Sequence, residues 1–307
     1  MVNSFGHVLI GGGTGFIGRN LSRILRNRGY DVTVVSRMPG PKRITWHDVH
    51  RIGLPDNITA VVNLAGQNVL DMTRRWTEGF KQNVWNSRIQ TTCALAKAII
   101  DAKDKPAVFV TISGVGIYKP DNHTIYSESV SVSEFDFFSK LCLEWENAAK
   151  LPSDASTRQV TIRSGVVLGT DGGMIKQLYL PFFLGLGGPI VPGDQFLPWI
   201  HIDDLTRLFV FVIESANISG ILNGVAPEEI SNKEFSSCFA KALWRPAVIP
   251  VPKAVLNMML GAERASMLTT GPRVQPKRTQ SLGFKFLHPN IESACNELTH
   301  TPKVKEL

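Results

Sequence analysis

The run Val8-Leu9-Ile10-Gly11-Gly12-Gly13-Thr14-Gly15-Phe16-Ile17-Gly18 restricts this chain more than any other stretch. A short apolar segment feeds directly into glycines at 12, 15 and 18. Leu21, Ile24 and Leu25 then recur at helical spacing until Gly29 ends the pattern. Strand, glycine turn and helix, in that order, are the context of a dinucleotide-binding fingerprint. Gly12 permits the tight turn, Gly15 lets the backbone approach a pyrophosphate, and Gly18 lets the helix pack close to the strand. The helix N-terminus offers unpaired N–H groups and the positive end of its dipole to phosphates. Gly13, Thr14, Phe16 and Ile17 complete the expected phosphate-binding turn.

Four further apolar runs repeat the strand pattern. Asp31–Val35 ends at Ser36-Arg37, the position that decides cofactor choice. An acidic residue there would accept bonds from ribose hydroxyls and favour NAD. A hydroxyl followed by a guanidinium suits the extra 2′-phosphate of NADP. Ile58–Leu64 ends in Asn63-Leu64-Ala65-Gly66, small residues that let a cofactor pass, with Leu64 and Ala65 as expected contacts. A helical pattern over 78–102 carries Asn83 and Arg88 near its start. Arg88 reads equally as an anion-binding group or as a solvated arginine. Ala107–Ile112 leads into Ser113-Gly114-Val115-Gly116-Ile117-Tyr118, and Val160–Arg163 into a turn where Val166 is the expected carboxamide contact.

Alternating strands and helices predict an α/β, Rossmann-type doubly wound parallel sheet with a smaller C-terminal α/β lobe. The expected division is an NADP-binding domain over 1–170 and a substrate lobe over 171–307, the helix near 201–213 packing back on the first. Composition narrows the remaining options. An apolar content of 43% is ordinary for a soluble protein. No apolar run reaches the ~20 residues needed to span a bilayer. The net charge of +7 comes from scattered Lys and Arg rather than a basic helix, which argues against nucleic acid. The four cysteines show neither C-x-x-C nor zinc-ligand spacing, so reduced thiols and no metal are expected. The first strand begins within a few residues, leaving no room for a leader in this sequence. The expectation is an intracellular soluble protein, of the cytoplasm or the mitochondrial matrix.

The G-x-x-G-x-x-G spacing resembles the short-chain dehydrogenase/reductase superfamily. Arg163-Ser-Gly-Val-Val-Leu-Gly, Leu180-Pro-Phe-Phe-Leu-Gly-Leu-Gly-Gly-Pro and Gln195-Phe-Leu-Pro-Trp-Ile-His-Ile-Asp-Asp-Leu together are similar to an epimerase-like family of extended members. The tail from Val251-Pro252 to Gly283-Phe284 resembles that family's short C-terminal domain, so the likeness spans essentially the whole chain. It implies an NADP-dependent oxidoreductase or epimerase-like activity on a carbonyl, alcohol or sugar-nucleotide-like small molecule. Ser113 is then the hydroxyl that orients substrate. The superfamily's acid/base pair is a Tyr and a Lys four residues apart, the Lys lowering the phenol's pKa. Here Lys140 is preceded at that spacing by Asp136, with Tyr118 and Tyr126 elsewhere. The candidate catalytic residues are therefore Ser113 and Lys140, with Ser113 reading otherwise as a strand-end serine capping its own backbone and Lys140, by a slight margin, as an exposed helix lysine. A catalytically impaired NADP(H)-binding sensor or scaffold stands as the alternative. His201 invites an acid/base reading but suits a packed histidine before a helix whose start Asp203 and Asp204 would cap. The expected partners are a small-molecule substrate and, as a possible assembly, a second copy in a homodimer.

Overall fold

The computed structural model describes residues 5–300 except 72 and 122; the ends of both expected domains, 1–4 and 301–307, lie outside the described residues. Strand β1 (His7–Gly11) is followed by α1 (Phe16–Asn27), β2 (Asp31–Ser36), β3 (Arg43–Thr45), α2 (Trp46–Ile52) and β4 (Ala60–Asn63). Helix α3 (Glu78–Asp101), β5 (Val108–Gly114), β6 (Ile125–Tyr126), α4 (Phe137–Ala148), β7 (Arg158–Ser164) and β8 (Val166–Leu168) come next. Then follow α5 (Gly173–Phe183), β9 (Trp199–His201), α6 (Ile202–Glu214), β10 (Gly220–Gly224) and α7 (Asn232–Ala242). Helices α8 (Lys253–Leu260) and α9 (Ala262–Thr269), strand β11 (Arg273–Val274), and helices α10 (Lys277–Ser281) and α11 (Ile291–His300) complete the chain.

Seven strands form one parallel sheet in the order β10-β7-β5-β4-β1-β2-β3. The strand order reverses beside β1, which places a crevice at the carboxyl ends of β1 and β4. Continuous apolar runs suit strands covered on both faces: Val8, Leu9 and Ile10 are all fully buried, as are Val61, Val62, Phe109 and Val110. Leu21 and Leu25 of α1 face the same core as Leu205, Leu208 and Phe209 of α6. The two helices pack against each other. The sheet thus continues past residue 170. The chain leaves it after β7, builds β8 and α5, and returns with α6 and the edge strand β10.

A second core gathers Phe182 of α5, Phe235 and Phe239 of α7, and Ile291, Cys295 and Leu298 of α11. The small parallel sheets β8-β9 and β11-β6 tie this lobe to the main sheet. Among the described residues no helix is long and apolar enough to cross a membrane.

Candidate active site

At the end of β1 the chain turns at Gly12, whose φ of +74° lies in the region that favours glycine. A Cβ there would sit 2.8 Å from the Ala65 backbone, so the turn rests directly on the end of β4. A Cβ on Gly18 would come within 2.5 Å of Gly12 O and of Gly13 Cα, which brings α1 against the turn. Gly15, the N-cap of α1, carries no side-chain cap, and the first turn holds no acidic residue. The orphan N–H groups and the dipole of α1 are therefore left for an anion. Thr14 and Gly15 are exposed on a cavity of about 680 Å³. Gly13 and Gly18 lie buried behind the turn. Ile17 packs on the core, and the Phe16 ring fills the space beside Gly169 and Gly172.

The same cavity is lined by Ser36, Arg37, Leu64, Ala65 and Asn83. The Ser36 hydroxyl donates to Met38 O and accepts from Met38 N at 3.3 Å, closing a tight turn that presents the next side chain outward. Arg37 is exposed and has no ion pair among the described residues. Trp46 and His50 of α2, Gln67, and Arg74 also line the cavity. No local pattern marks these four, because α2 and the loop after β4 reach the cavity only through tertiary packing.

Arg88 sits deeper, outside that lining. Its guanidinium donates to Gln67 O and Val84 O, both at 3.0 Å, and lies over the Trp145 ring at 5.0 Å. Burial lowers its pKa to about 10, and no carboxylate faces it. It thereby props the Gly66–Gln67 segment, since a Cβ on Gly66 would meet the guanidinium at 3.1 Å. Beneath it Asn63 Nδ2 donates to Thr92 Oγ1 at 2.8 Å and Trp145 Nε1 to the same oxygen at 3.0 Å.

At the ends of β5 and β7 the polar groups are arranged differently. Arg163 is 2% exposed and holds Glu146 through two bonds of 2.8 Å. It also donates to the Tyr118 hydroxyl at 3.0 Å, and that hydroxyl donates to Asn223 Oδ1 at 2.9 Å. Burial would lower the Arg163 pKa, but Glu146 and Tyr118 raise it overall. Burial raises the Tyr118 phenol, and its hydroxyl is fully engaged. Tyr126 stacks on Tyr118 with ring centroids 5.0 Å apart. Tyr118 is therefore not an available acid.

Ser113 is buried, and the only partner its Oγ meets among the described residues is the Cys142 thiol, a weak one. It lies beside the Cys142 thiol, which burial pushes up to about 11. Lys140 does not approach it. Lys140 is half-exposed on the outer face of α4 and pairs with Glu134 at 3.2 Å. Four residues earlier Asp136 is the N-cap of α4, accepting from Ser139 N at 2.7 Å. The capping box fixes the start of the helix so that Phe138, Leu141, Cys142 and Trp145 turn inward and Lys140 outward. The structure thus does not bring Ser113 and Lys140 together. Val166 begins β8, where its N–H donates to Pro198 O at 2.8 Å and so is not free for a ligand.

Arg264 of the C-terminal lobe holds the loop that carries Arg74 of the cavity lining, a contact no sequence pattern marked. Arg264, 1% exposed, donates to Val69 O, Asp71 O and Arg74 O at 3.3, 3.1 and 2.9 Å. Its guanidinium stacks over Trp76 at 5.3 Å, and the Trp76 indole N–H donates to Glu263 at 2.5 Å. Helix α9 thereby holds the loop between β4 and α3 that carries Arg74. The start of α6 also differs from expectation. His201 is the N-cap, accepting from Asp203 N, while Asp204 accepts from the backbone N–H groups of Leu287 and His288.

Known proteins place this geometry. The chain is 49% identical over 292 residues to the epimerase family protein SDR39U1 of Bos taurus, covering 95% of this chain and 99% of that protein. It is 34% identical over 300 residues to the epimerase family protein SSP1921 of Staphylococcus saprophyticus, covering 96% and 99%. The crystal structure of human epimerase family protein SDR39U1 with NADPH superposes with a TM-score of 0.95 at 48% identity, covering 96% of this chain and 100% of that one. A domain of unknown function (DUF1731) matches residues 251–298. The model of the NAD dependent epimerase/dehydratase family matches residues 8–223, and this chain belongs to that family.

Proposed function

We propose that the protein is an NADP(H)-dependent oxidoreductase or epimerase-like enzyme acting on a carbonyl, alcohol or sugar-nucleotide-like small molecule. One observation carries the reading. The uncapped N-terminus of α1 and the unpaired Arg37 open on the same cavity. Pyrophosphate suits the first and a ribose 2′-phosphate the second. The relative solved with NADPH supports the same choice. Gly12, Gly13 and Gly18 shape the turn, while Thr14, Gly15 and the backbone of Phe16 and Ile17 surround the phosphates. Leu64, Ala65 and Asn83 border the path from adenosine towards β5, and Arg88 supports that border from below.

Bound NADP would supply the hydride acceptor or, reduced, the donor. The chain's own part lies at the end of β5. A buried hydroxyl whose only neighbour is a weakly bonding thiol gains from a ligand oxygen, and Ser113 beside Cys142 meets that description. Its Oγ–H would donate to a substrate oxygen and orient the carbon that exchanges hydride.

The test is a titration with NADPH and NADH, with Arg37→Asp in parallel. The expected result is preference for NADPH, lost by about a hundredfold in the variant, for two charge-assisted bonds of roughly 1.5 kcal/mol each. Equal affinity for both cofactors, or none for either, overturns the cofactor assignment. The second reading, cofactor binding without turnover, is favoured by Asp136 serving as a helix cap and Lys140 facing solvent. A carbonyl and sugar-nucleotide screen separates the two. Turnover abolished by Ser113→Ala supports an enzyme. Tight NADPH binding with no turnover on any substrate class supports the sensor.

A further inference from the structure

Where α6 begins and the last helix returns, two imidazoles and two carboxylates converge, and none of them lines the cofactor cavity. His201 is 1% exposed. Its Nε2 lies 2.9 Å from Glu297 Oε2. An ionised carboxylate only accepts, so Nε2 carries the proton and Nδ1 is left with a lone pair. That lone pair faces Asp203, accepting from its N–H at a long 3.3 Å with Oδ2 3.8 Å away.

The His288 ring stands 4.1 Å from the His201 ring, inclined by 50°. The backbone of His288 is pinned there by Asp204, which accepts its N–H at 2.8 Å. His288 Nδ1 is buried and has no hydrogen-bond partner. One donor atom from each of His201, Asp203 and His288 lies within 4.8 Å of the others. A ring nitrogen of each histidine and a carboxylate oxygen thus share one small volume, with the long Asp203 N–H contact to His201 Nδ1 beside them. The buried His288 Nδ1 without a hydrogen-bond partner among the described residues is expensive, and a ligand on that ring removes the cost.

We propose that His201, Asp203 and His288 form a binding site for a divalent transition ion, Zn²⁺ foremost, with Glu297 as the outer partner of His201. Two imidazole nitrogens and a carboxylate oxygen suit zinc and leave a fourth position to water. A carboxylate on the far nitrogen of a ligating histidine fixes its tautomer and raises its basicity, which is the role Glu297 fills. Donors about 2.1 Å from a tetrahedral ion stand roughly 3.4 Å apart. The 3.8 Å between His201 Nδ1 and Asp203 Oδ2 closes to that by a small rotation of Asp203, whose side chain is 43% exposed. The dipole of α6 disfavours a cation, and Asp203 and Asp204 in its first turn offset it. The ion would fasten the segment carrying His288, and through Glu297 helix α11, to the start of α6.

The test is a titration of the chelator-treated full chain with Co²⁺, followed by Zn²⁺ competition. The expected result is one equivalent of Co²⁺ with the visible absorption of a four- or five-coordinate ion, displaced by Zn²⁺. His288→Ala and Asp203→Asn should each weaken binding by at least about tenfold and Glu297→Gln by about 10–100-fold. His123→Ala, an exposed histidine elsewhere, should change nothing. Zn²⁺ at a hundred times its Kd should raise Tm by about 5 °C. The wild-type Co²⁺ spectrum decides even where a variant misfolds. No visible band at about millimolar Co²⁺ overturns the proposal and leaves a proton-sharing cluster. Binding unchanged in folded His288→Ala also overturns it, as does a thiolate charge-transfer band, which would place the ion on the Cys238–Cys295 pair instead.

Discussion

The two ends of the crevice treat polar groups in opposite ways. Around β1 and β2 they are left open: α1 lacks a cap, Arg37 lacks an acid partner, and the glycines present bare backbone. Around β5, β7 and β10 they are closed on one another, through Glu146, Arg163, Tyr118 and Asn223. The difference separates recognition from support. An anion-binding surface keeps its bonds for the ligand, whereas a buried network spends them on fixing strand ends in place. Ser113, buried with only the weak Cys142 thiol beside its Oγ, is a group on the closed side that behaves like the open side.

The largest test of this contrast removes a member of the closed network. Arg163→Met leaves Glu146 as an unpaired buried charge and should cost about 3–5 kcal/mol in urea denaturation. NADPH affinity should stay within about twofold, and a tenfold loss would show that the two ends are not independent. Gly18→Ala acts on the open end. Its Cβ would enter the Gly12 and Gly13 backbone, so it should cost about 3 kcal/mol and abolish NADPH binding in the same titration.

A smaller effect is expected in alkali. The buried Cys142 thiol titrates at about 11 against an ordinary 9.0. Above pH 9 the unfolded chain loses a proton that the folded chain keeps. Stability should therefore fall between pH 9 and about 11, by roughly 2–3 kcal/mol. Cys142→Ala should flatten that limb in urea melts at stepped pH while lowering stability at neutrality. The smallest effect sharpens the contrast most. Lys140→Ala removes only an exposed pair with Glu134 and should change stability by less than about 0.5 kcal/mol. It should leave NADPH affinity and any turnover unchanged. A hundredfold loss of turnover would return Lys140 to the chemistry.

What could be read from the sequence was local. Ser36-Arg37 ends a strand, and strand ends of a parallel sheet share one edge, so position in the chain gave position in the crevice. The strand runs were legible because both faces are buried and the apolar pattern is continuous. The Tyr118–Arg163–Glu146 network was not, because its members are joined by register between strands rather than by spacing. Lys140 stayed ambiguous for a related reason. A four-residue interval places two side chains on one helix face but does not say which way that face points; the cap at Asp136 decides it. Arg264 carried no signal at all, since its partners are carbonyl oxygens of a distant loop.

That last contact sets an order of events during synthesis. The loop bearing Arg74 is made early, yet the guanidinium that holds it follows 190–195 residues later. An emerging chain can form the glycine turn and its first strands long before Arg264 exists. Its cavity rim closes only when α9 has been made and has docked. Contacts of such long range are costly in loop entropy and form late. Cofactor retention on a nascent or truncated chain would thus report whether translation has passed residue 264, and premature termination upstream would leave a folded sheet with an unfastened rim.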